Sequence, residues 1–297
     1  MRIDQYLTSN YSYSRSFWEH IIKRGSVKIL NAVGAARVVK KSTTIHPGDQ
    51  IIIDDVRRFI DGGVLAEAPA IPLDIRYERD DYLVIYKPKG VLSHPNSVRD
   101  ISHPSVVGAL YHHYATLPSM ANFIRAGLLH RLDKDTDGLM LIAKTETGLA
   151  YFKSLFQQKS GADTIQAKEA VPLHKMYRAI CDTTLDGTRF LQSLTIFPHI
   201  LQGWIEPKVP HPGDPKRGIT KILSVSALDA DHVQLDLEIL TGRTHQIRYQ
   251  LSEVGLPISG DYLYHPAYNE SMGSMALTAY RLEFEDMDGL QISVCMD

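Results

Sequence analysis

The sequence predicts an α+β fold in which a small N-terminal α/β module precedes a larger sheet-based domain, and three observations carry that expectation. Six apolar stretches of strand length lie between residues 82 and 295, with only a few helix-like segments among them. Strands and helices therefore do not alternate as they would in a doubly wound parallel fold. Between Phe59 and Leu73, Gly62-Gly63, Pro69 and Pro72 sit among small residues, the composition of a connector. The expected organisation is 1–58 as one domain, 59–73 as linker and 74–297 as the second domain. No internal repeat is visible.

Within the first domain, Ser16-Phe17-Trp18-Glu19 has the Ser-x-x-Glu spacing of a capping box, and Phe17, Trp18, Ile21 and Ile22 follow at helical spacing up to Gly25. A short helix is expected there, with Phe17 and Trp18 turned into the core. Val27 to Leu30 reads as a strand, and Pro47-Gly48-Asp49 breaks the chain before a second one at Gln50 to Asp54.

In the second domain the expected strands are Tyr82 to Tyr86, Leu139 to Ala143, Tyr177 to Cys181, Ile222 to Ala227, Val233 to Leu240 and Leu290 to Cys295. Helices are expected over Ser105 to Tyr114, after a Thr145 cap with Leu149, Phe152, Leu155 and Phe156 inward, and over His245 to Val254 with Gly255 at its end. Lys159 to Pro172 reads as a surface insertion, either disordered or a loop facing a ligand, and Lys208 to Arg217 as a Pro-rich mobile segment.

Composition narrows the function classes. With 44% hydrophobic and 22% charged residues the chain is ordinary for a globular protein. No apolar run approaches the roughly 20 residues needed to cross a bilayer, and MRIDQYLTSN lacks a signal-peptide core, so a cytoplasmic monomer with no membrane partner is expected. Cys181 and Cys295 form no pair motif and read as small buried thiols. His112-His113 has no ligand partner at metal-binding spacing, so no metal site is indicated. A net charge of −2 argues against a nucleic-acid partner. The charge is uneven, however: Met1 to Arg58 holds ten Lys and Arg against five Asp and Glu. A basic binding face and a plain solvated one are equally compatible with that count.

The sharpest chemical feature is Leu128 to Thr145, LLHRLDKDTDGLMLIAKT, which mounts Arg131 and Asp133 on a polar turn running into a buried-type strand. One carboxylate on a rigid element is a candidate catalytic group, against the plainer reading that it pairs with Arg131 or caps the turn.

His130-Arg131-Leu132-Asp133-x-x-Thr136-x-Gly138 resembles the signature of the pseudouridine synthases of the large-subunit ribosomal RNA type. Asp81 to Val91, closed by His94-Pro95, is similar to the first motif of that family, with its Lys-Pro-x-Gly turn. Lys175-Met176-Tyr177-Arg178-Ala179 resembles its Lys-x-Tyr-x-Ala strand. Thr241 to Arg248, followed by Gly255-x-Pro257-Ile258-x-Gly260-Asp261-x-x-Tyr264, resembles its last long motif. In the first domain, Arg2-Ile3-Asp4-x-x-Leu7, Ser14-Arg15-Ser16, Gly25-Ser26-Val27 and Pro47-Gly48-Asp49-x-Ile51 together resemble the S4 RNA-binding module.

These resemblances imply a mixed, mostly antiparallel sheet crossed by an RNA cleft, and an isomerase that converts uridine to pseudouridine without a cofactor. They imply Asp133 as the catalytic carboxylate, Arg243 as the cation holding it ionised, and Tyr177 as the residue stacking on the displaced uracil and accepting a proton at C5. Arg131 would fill the stack that the extruded base leaves, offsetting a cost of roughly a few kcal/mol. Lys87, His130, Thr136, His245 and Arg248 are the remaining candidates near the substrate, and Arg15, Lys23, Arg24 and Lys28 those for phosphate in the S4-like module. The implied substrate is a uridine in large-subunit ribosomal RNA, with transfer RNA the alternative. Three positions depart from the family pattern: Asp137 for Ser or Thr, Lys89 for Ala or Pro, and Thr278 for His. They leave room for a non-catalytic RNA-binding or ribosome-assembly factor on the same fold. A glycoside hydrolase would need a second carboxylate across the scissile bond, and Asp135 or Asp137 could serve only in a geometry that the sequence does not show.

Overall fold

The computed structural model describes residues 1–11, 15–30, 34–54, 68–95, 100–114, 117–118, 125–194, 198–206, 208 and 216–296. The chain divides into two compact units, Met1–Leu73 with Leu92–Leu128, and Asp74–Val91 with Leu129–Asp297. The division after Leu73 coincides with the expected end of the connector, whose residues 59–67 lie outside the described ones. Leu92–Leu128, expected in the second domain, groups with the first unit.

The first unit begins with helices α1 (Ile3–Asn10) and α2 (Arg15–Lys23), followed by β1 (Val27–Leu30), β2 (Ala36–Val38) and β3 (Gln50–Ile53). The strands form an antiparallel sheet in the order β2-β1-β3. Phe17, Trp18, Ile21 and Ile22 are all buried in one core with Ile3, Leu7, Val27 and Ile29, because their spacing puts one face of α2 inward. The helix starts at Arg15, so Ser16 falls in its first turn instead of capping it. Ser14 lies outside the described residues. Ile101 and Val107 complete the same core, Val107 from α3 (Val106–His113), which Ser105 caps by accepting the Gly108 N–H at 3.1 Å. That shared core is why Leu92–Leu128 belongs to this unit.

The second unit is built on a nine-stranded sheet. Its strands are β4 (Asp74–Glu78), β5 (Tyr82–Lys87), β6 (Asp137–Ala143), β7 (Leu173–Asp182), β8 (His199–Ile205), β9 (Lys216–Ala227), β10 (His232–Ile239), β11 (Leu277–Glu285) and β12 (Gln291–Cys295). They run in the order β4-β5-β6-β11-β7-β10-β9-β8, with β12 also on β11. The β6–β11 pair is parallel and the others antiparallel. The mixed, mostly antiparallel sheet is as expected. Tyr82, Val84, Leu139, Leu141, Leu282 and Phe284 build a core on it, with Phe152 from helix α4 (Glu146–Gly161) meeting Tyr82 and Phe284 edge-on. Thr145 caps α4 through the Gly148 N–H, as its sequence predicts. Gly138 sits at φ +122°, and a Cβ there would meet the Ala279 carbonyl oxygen at 2.3 Å. Only glycine permits this approach of β6 to β11 directly below the Asp133 turn.

Lys159 to Pro172 is mostly helical and packed on the unit. Helix α4 runs on to Gly161, and Thr164 caps the short α5 (Ile165–Glu169). Lys159 and Lys168 are buried: Lys168 donates to the carbonyls of Lys159 and Ser160, and Lys159 to that of Leu173. Helix α6 (Leu185–Ser193) and helix α7 (Gln246–Glu253) complete the unit. Cys181 is buried, whereas Cys295 is exposed near the C-terminal end of the chain, contrary to its apolar-looking context. Among the described residues, no helix is long and apolar enough to cross a membrane.

Candidate active site

Asp133 stands on the turn that feeds β6. The Thr136 N–H closes the turn on the Asp133 carbonyl at 3.2 Å, and the Gly90 N–H bonds the Lys134 carbonyl at 2.9 Å. Beneath it lies Lys87, fully buried, whose Nζ donates to the carbonyls of Pro88 (2.9 Å), Val91 (2.8 Å) and Lys134 (3.0 Å). Burial pushes the Lys87 amine down to about 8, opposed by the Asp137, Asp135 and Asp133 charges. At neutral pH it remains an ammonium, which the three carbonyl acceptors require, since a neutral amine has only two N–H groups. Lys87 thus ties the Lys-Pro-x-Gly turn to the loop of the acid.

The Asp133 carboxylate is 24% exposed, and its Oδ2 faces Arg248 Nη1 at 3.4 Å and His245 Nε2 at 3.8 Å. Arg248, 3% exposed, is held from behind by the buried Asp261, its Nε and Nη2 each donating to one Asp261 oxygen at 2.7 Å. That fork fixes the guanidinium plane and leaves Nη1 for Asp133. His245 has φ +55° and is the one non-glycine with positive φ among the described residues. This strained residue leads into α7 and turns its ring toward the acid. The Tyr264 hydroxyl accepts the Lys208 N–H at 2.7 Å and lies 3.0 Å from His245 Nδ1, which fixes the ring's orientation and leaves Nε2 facing Asp133. Burial lowers the basicity of His245; the Asp133 charge opposes this and the Arg248 charge adds to it.

Gln246 secures this segment. Its side-chain oxygen accepts from Thr241 Oγ1 (2.7 Å) and the Arg243 N–H (3.1 Å), and its amide donates to the Ile219 carbonyl and Thr220 Oγ1. Tyr177 is buried on β7. Burial, with the Asp133 charge second, raises its phenol pKa, so it is neutral at physiological pH. It is therefore a flat neutral ring within reach of the Asp133 charge.

A model of the RNA pseudouridylate synthase family matches residues 81–253. The chain belongs to the RNA pseudouridylate synthase family. Similar proteins include ribosomal large subunit pseudouridine synthase D of Salmonella typhimurium, 33% identical over 264 residues that span 89% of this chain and 72% of that one. The RNA pseudouridine synthase YlyB of Bacillus subtilis is 31% identical over 291 residues, 96% of this chain and 86% of that one. In fold, human RNA pseudouridylate synthase domain containing 4 superposes with a TM-score of 0.53 over 80% of this chain and 93% of that one, at 20% identity. The synthase is an isomerase acting on RNA.

The geometry of the synthase corrects several sequence expectations. Arg243 does not face Asp133. It lies ahead of α7, half-buried, and its Nε donates to the Arg217 carbonyl at 3.2 Å. Arg248, on the inward face of α7, takes the place expected of it. Lys87, His130 and Thr136 support the turn and do not line its open side. Leu141 N–H donates to His130 Nε2 at 2.9 Å, and the ring stacks on Phe156. Burial, then the Lys175 charge, pushes His130 down to about 3, so it is neutral and holds no phosphate charge. Arg131 is exposed as expected, its Nη2 donating to Thr244 Oγ1 at 2.7 Å.

In the first unit, Arg15 is engaged with the buried Asp4 at 2.6 Å, an acid that Arg2 also meets, and Lys28 with Asp54. Lys23 and Arg24 remain exposed. Asp261 and Tyr264 are two positions of the site to which the last motif alone assigns no role. The signal that could have marked Asp261 is an acid in an apolar stretch, which needs a buried partner.

Proposed function

We propose that this synthase isomerises a uridine of large-subunit ribosomal RNA in the cytoplasm, with Asp133 as catalytic carboxylate, and that residues 1–58 form an S4-like RNA anchor. The observation that carries the catalytic reading is the convergence of Arg248 and His245 on Asp133 Oδ2 beside the Tyr177 ring. In the reaction the N1–C1′ bond breaks, the uracil turns in the site, and C5 joins C1′. The C5 proton is lost and N1 gains one, so no redox partner enters. Asp133 attacks C1′ or C6, or removes a sugar proton, and in each case it must be ionised. Arg248, with Nη1 3.4 Å from Oδ2, pairs with the carboxylate and fixes its direction. Tyr177, as a neutral phenol, stacks on the base while it turns. Arg131 at the open side fills the gap in the RNA stack.

Support for ribosomal RNA comes from relatives named ribosomal large subunit pseudouridine synthase D at 31–33% identity. A second anchor also suits a large folded RNA, where it grips a neighbouring duplex while single-stranded nucleotides enter the site. Carbodiimide-based mapping of pseudouridine in cells with and without the gene tests the proposal. Loss of a large-subunit site, restored by the wild-type chain and not by Asp133→Asn, is expected. Loss confined to transfer RNA overturns the substrate, and restoration by Asp133→Asn overturns the catalytic assignment.

A further inference from the structure

One aromatic ring beside the site serves neither the core nor the chemistry above. Tyr262 directly follows Asp261, the buried acid that holds Arg248, yet it is 56% exposed. Its ring centroid lies 5.7 Å from the Arg248 guanidinium carbon, and Arg248 in turn faces Asp133. The turn that carries it is fixed: Asp261 Oδ1 accepts the N–H groups of Leu263 and Tyr264, and the Asp261 carbonyl accepts that of His265. On another side Tyr262 meets Tyr268, itself 37% exposed, with centroids 6.5 Å apart and planes at 72°. The ring is held at its edges while much of its surface stays open to water. The Tyr264 ring, which also flanks Arg248, has the exposed Lys208 on it, with Nζ 5.4 Å from its centroid.

We propose that Tyr262 is a stacking platform for the nucleobase adjacent to the target uridine in a single-stranded stretch of RNA. This rests on the assignment of Asp133 as the catalytic acid. Extruding the uridine deprives its neighbour of a stacking partner, and an aromatic ring mounted on a rigid turn beside the acid replaces it. Such stacking tolerates any base, because every base has a π-face. The exposed Lys208 ammonium suits a phosphate of the same strand. A protein partner is the other class of occupant, and the test separates it from RNA.

The full-length chain is assayed by tritium release from a C5-tritiated transcript, of large-subunit ribosomal RNA or transfer RNA, that the wild type modifies. Tyr262→Ala is expected to raise KM roughly ten- to hundredfold, the range seen for loss of one base–aromatic stack, with kcat nearly unchanged. Tyr262→Phe and Tyr262→Trp should restore KM, and Tyr262→Leu should not. An unchanged KM in Tyr262→Ala, rescue by leucine as good as by phenylalanine, or a loss confined to kcat each overturns the proposal. In parallel, a short single-stranded RNA carrying 2-aminopurine next to a uridine is titrated with the same variants. Quenching by the wild type that is lost in Tyr262→Ala supports stacking, whereas equal quenching, or none with the wild type, overturns it and leaves a protein occupant. Turnover retained by Asp133→Asn marks failure of the catalytic assignment alone, since the Tyr262 readouts stand apart from it.

Discussion

At the residue scale, the identity of the cation at Asp133 decides which mutation stops the chemistry. Arg248 links two acids, one buried and one reactive, whereas Arg243 bonds a backbone carbonyl at the surface. Arg248→Ala should therefore abolish tritium release and also lower stability by about 3–5 kcal/mol, because Asp261 is left as a buried unpaired charge. Arg248→Ala with Asp261→Asn should recover much of the stability and none of the activity. Arg243→Ala should leave kcat nearly intact and only weaken RNA binding. Comparable loss of kcat in both single variants would contradict the pairing seen here. The three departures from the family pattern also make sense at this scale. Asp137 accepts from the Tyr86 hydroxyl at 2.9 Å and from Thr278 at 2.7 Å, and Lys89 donates to the Met275 carbonyl at 2.7 Å. Two of them are partners of each other across the β6–β11 pair, so the extra carboxylate is hydrogen-bonded within the fold and need not repel phosphate.

At the element scale, α4, α5, β7, β9 and β10 are tied together by one buried acid. Glu238 on β10 meets Lys159 of α4 at 3.4 Å, His174 of β7 at 2.7 Å and Lys221 of β9 at 3.4 Å, and Lys221 reaches Glu169 of α5 at 2.7 Å. Burial pushes the Glu238 carboxyl up, but the His174 hydrogen bond and the Lys159 and Lys221 charges outweigh it and hold it at about 2. A depressed carboxylate contributes stability that is fully present above its unfolded value and disappears as pH falls through the folded one. Between pH 5 and pH 2 the wild type should lose on the order of 2–3 kcal/mol on this account. In urea melts across that range, Glu238→Gln should start less stable and show a shallower acid dependence. Parallel slopes for the two proteins would show that the cluster carries no such linkage. Lys159 to Pro172 could not be read as helix because its short α5 is stabilised by these tertiary bonds, not by local periodicity.

At the scale of the whole molecule, the first unit owns Ile101 and Val107 as well as residues 1–73. Deleting residues 1–58 should therefore expose that apolar surface and increase dye binding and aggregation, so truncation is a poor test of RNA anchoring. Lys23→Ala with Arg24→Ala, both exposed, should instead flatten the slope of log affinity against log salt by roughly 0.7–0.9 per lost phosphate contact. An unchanged slope would argue against an S4-like anchor. The sequence by itself determined the α+β class, the strands β5 and β6, the helix after Ser105, the Thr145 cap, and the acid on its turn. Each depends on local periodicity or on residues close together in the chain. Only the tertiary structure decided the rest. β11, in the middle of the sheet, was not anticipated, because an alternating strand of mixed polarity declares itself only through its neighbours. The choice of Arg248 over Arg243 depends on where α7 begins after the left-handed His245 and on Asp261 packing behind it. The first is a single backbone angle that residue type does not announce, and the pair it sets meets Asp133 only through the tertiary fold, from 115 residues away.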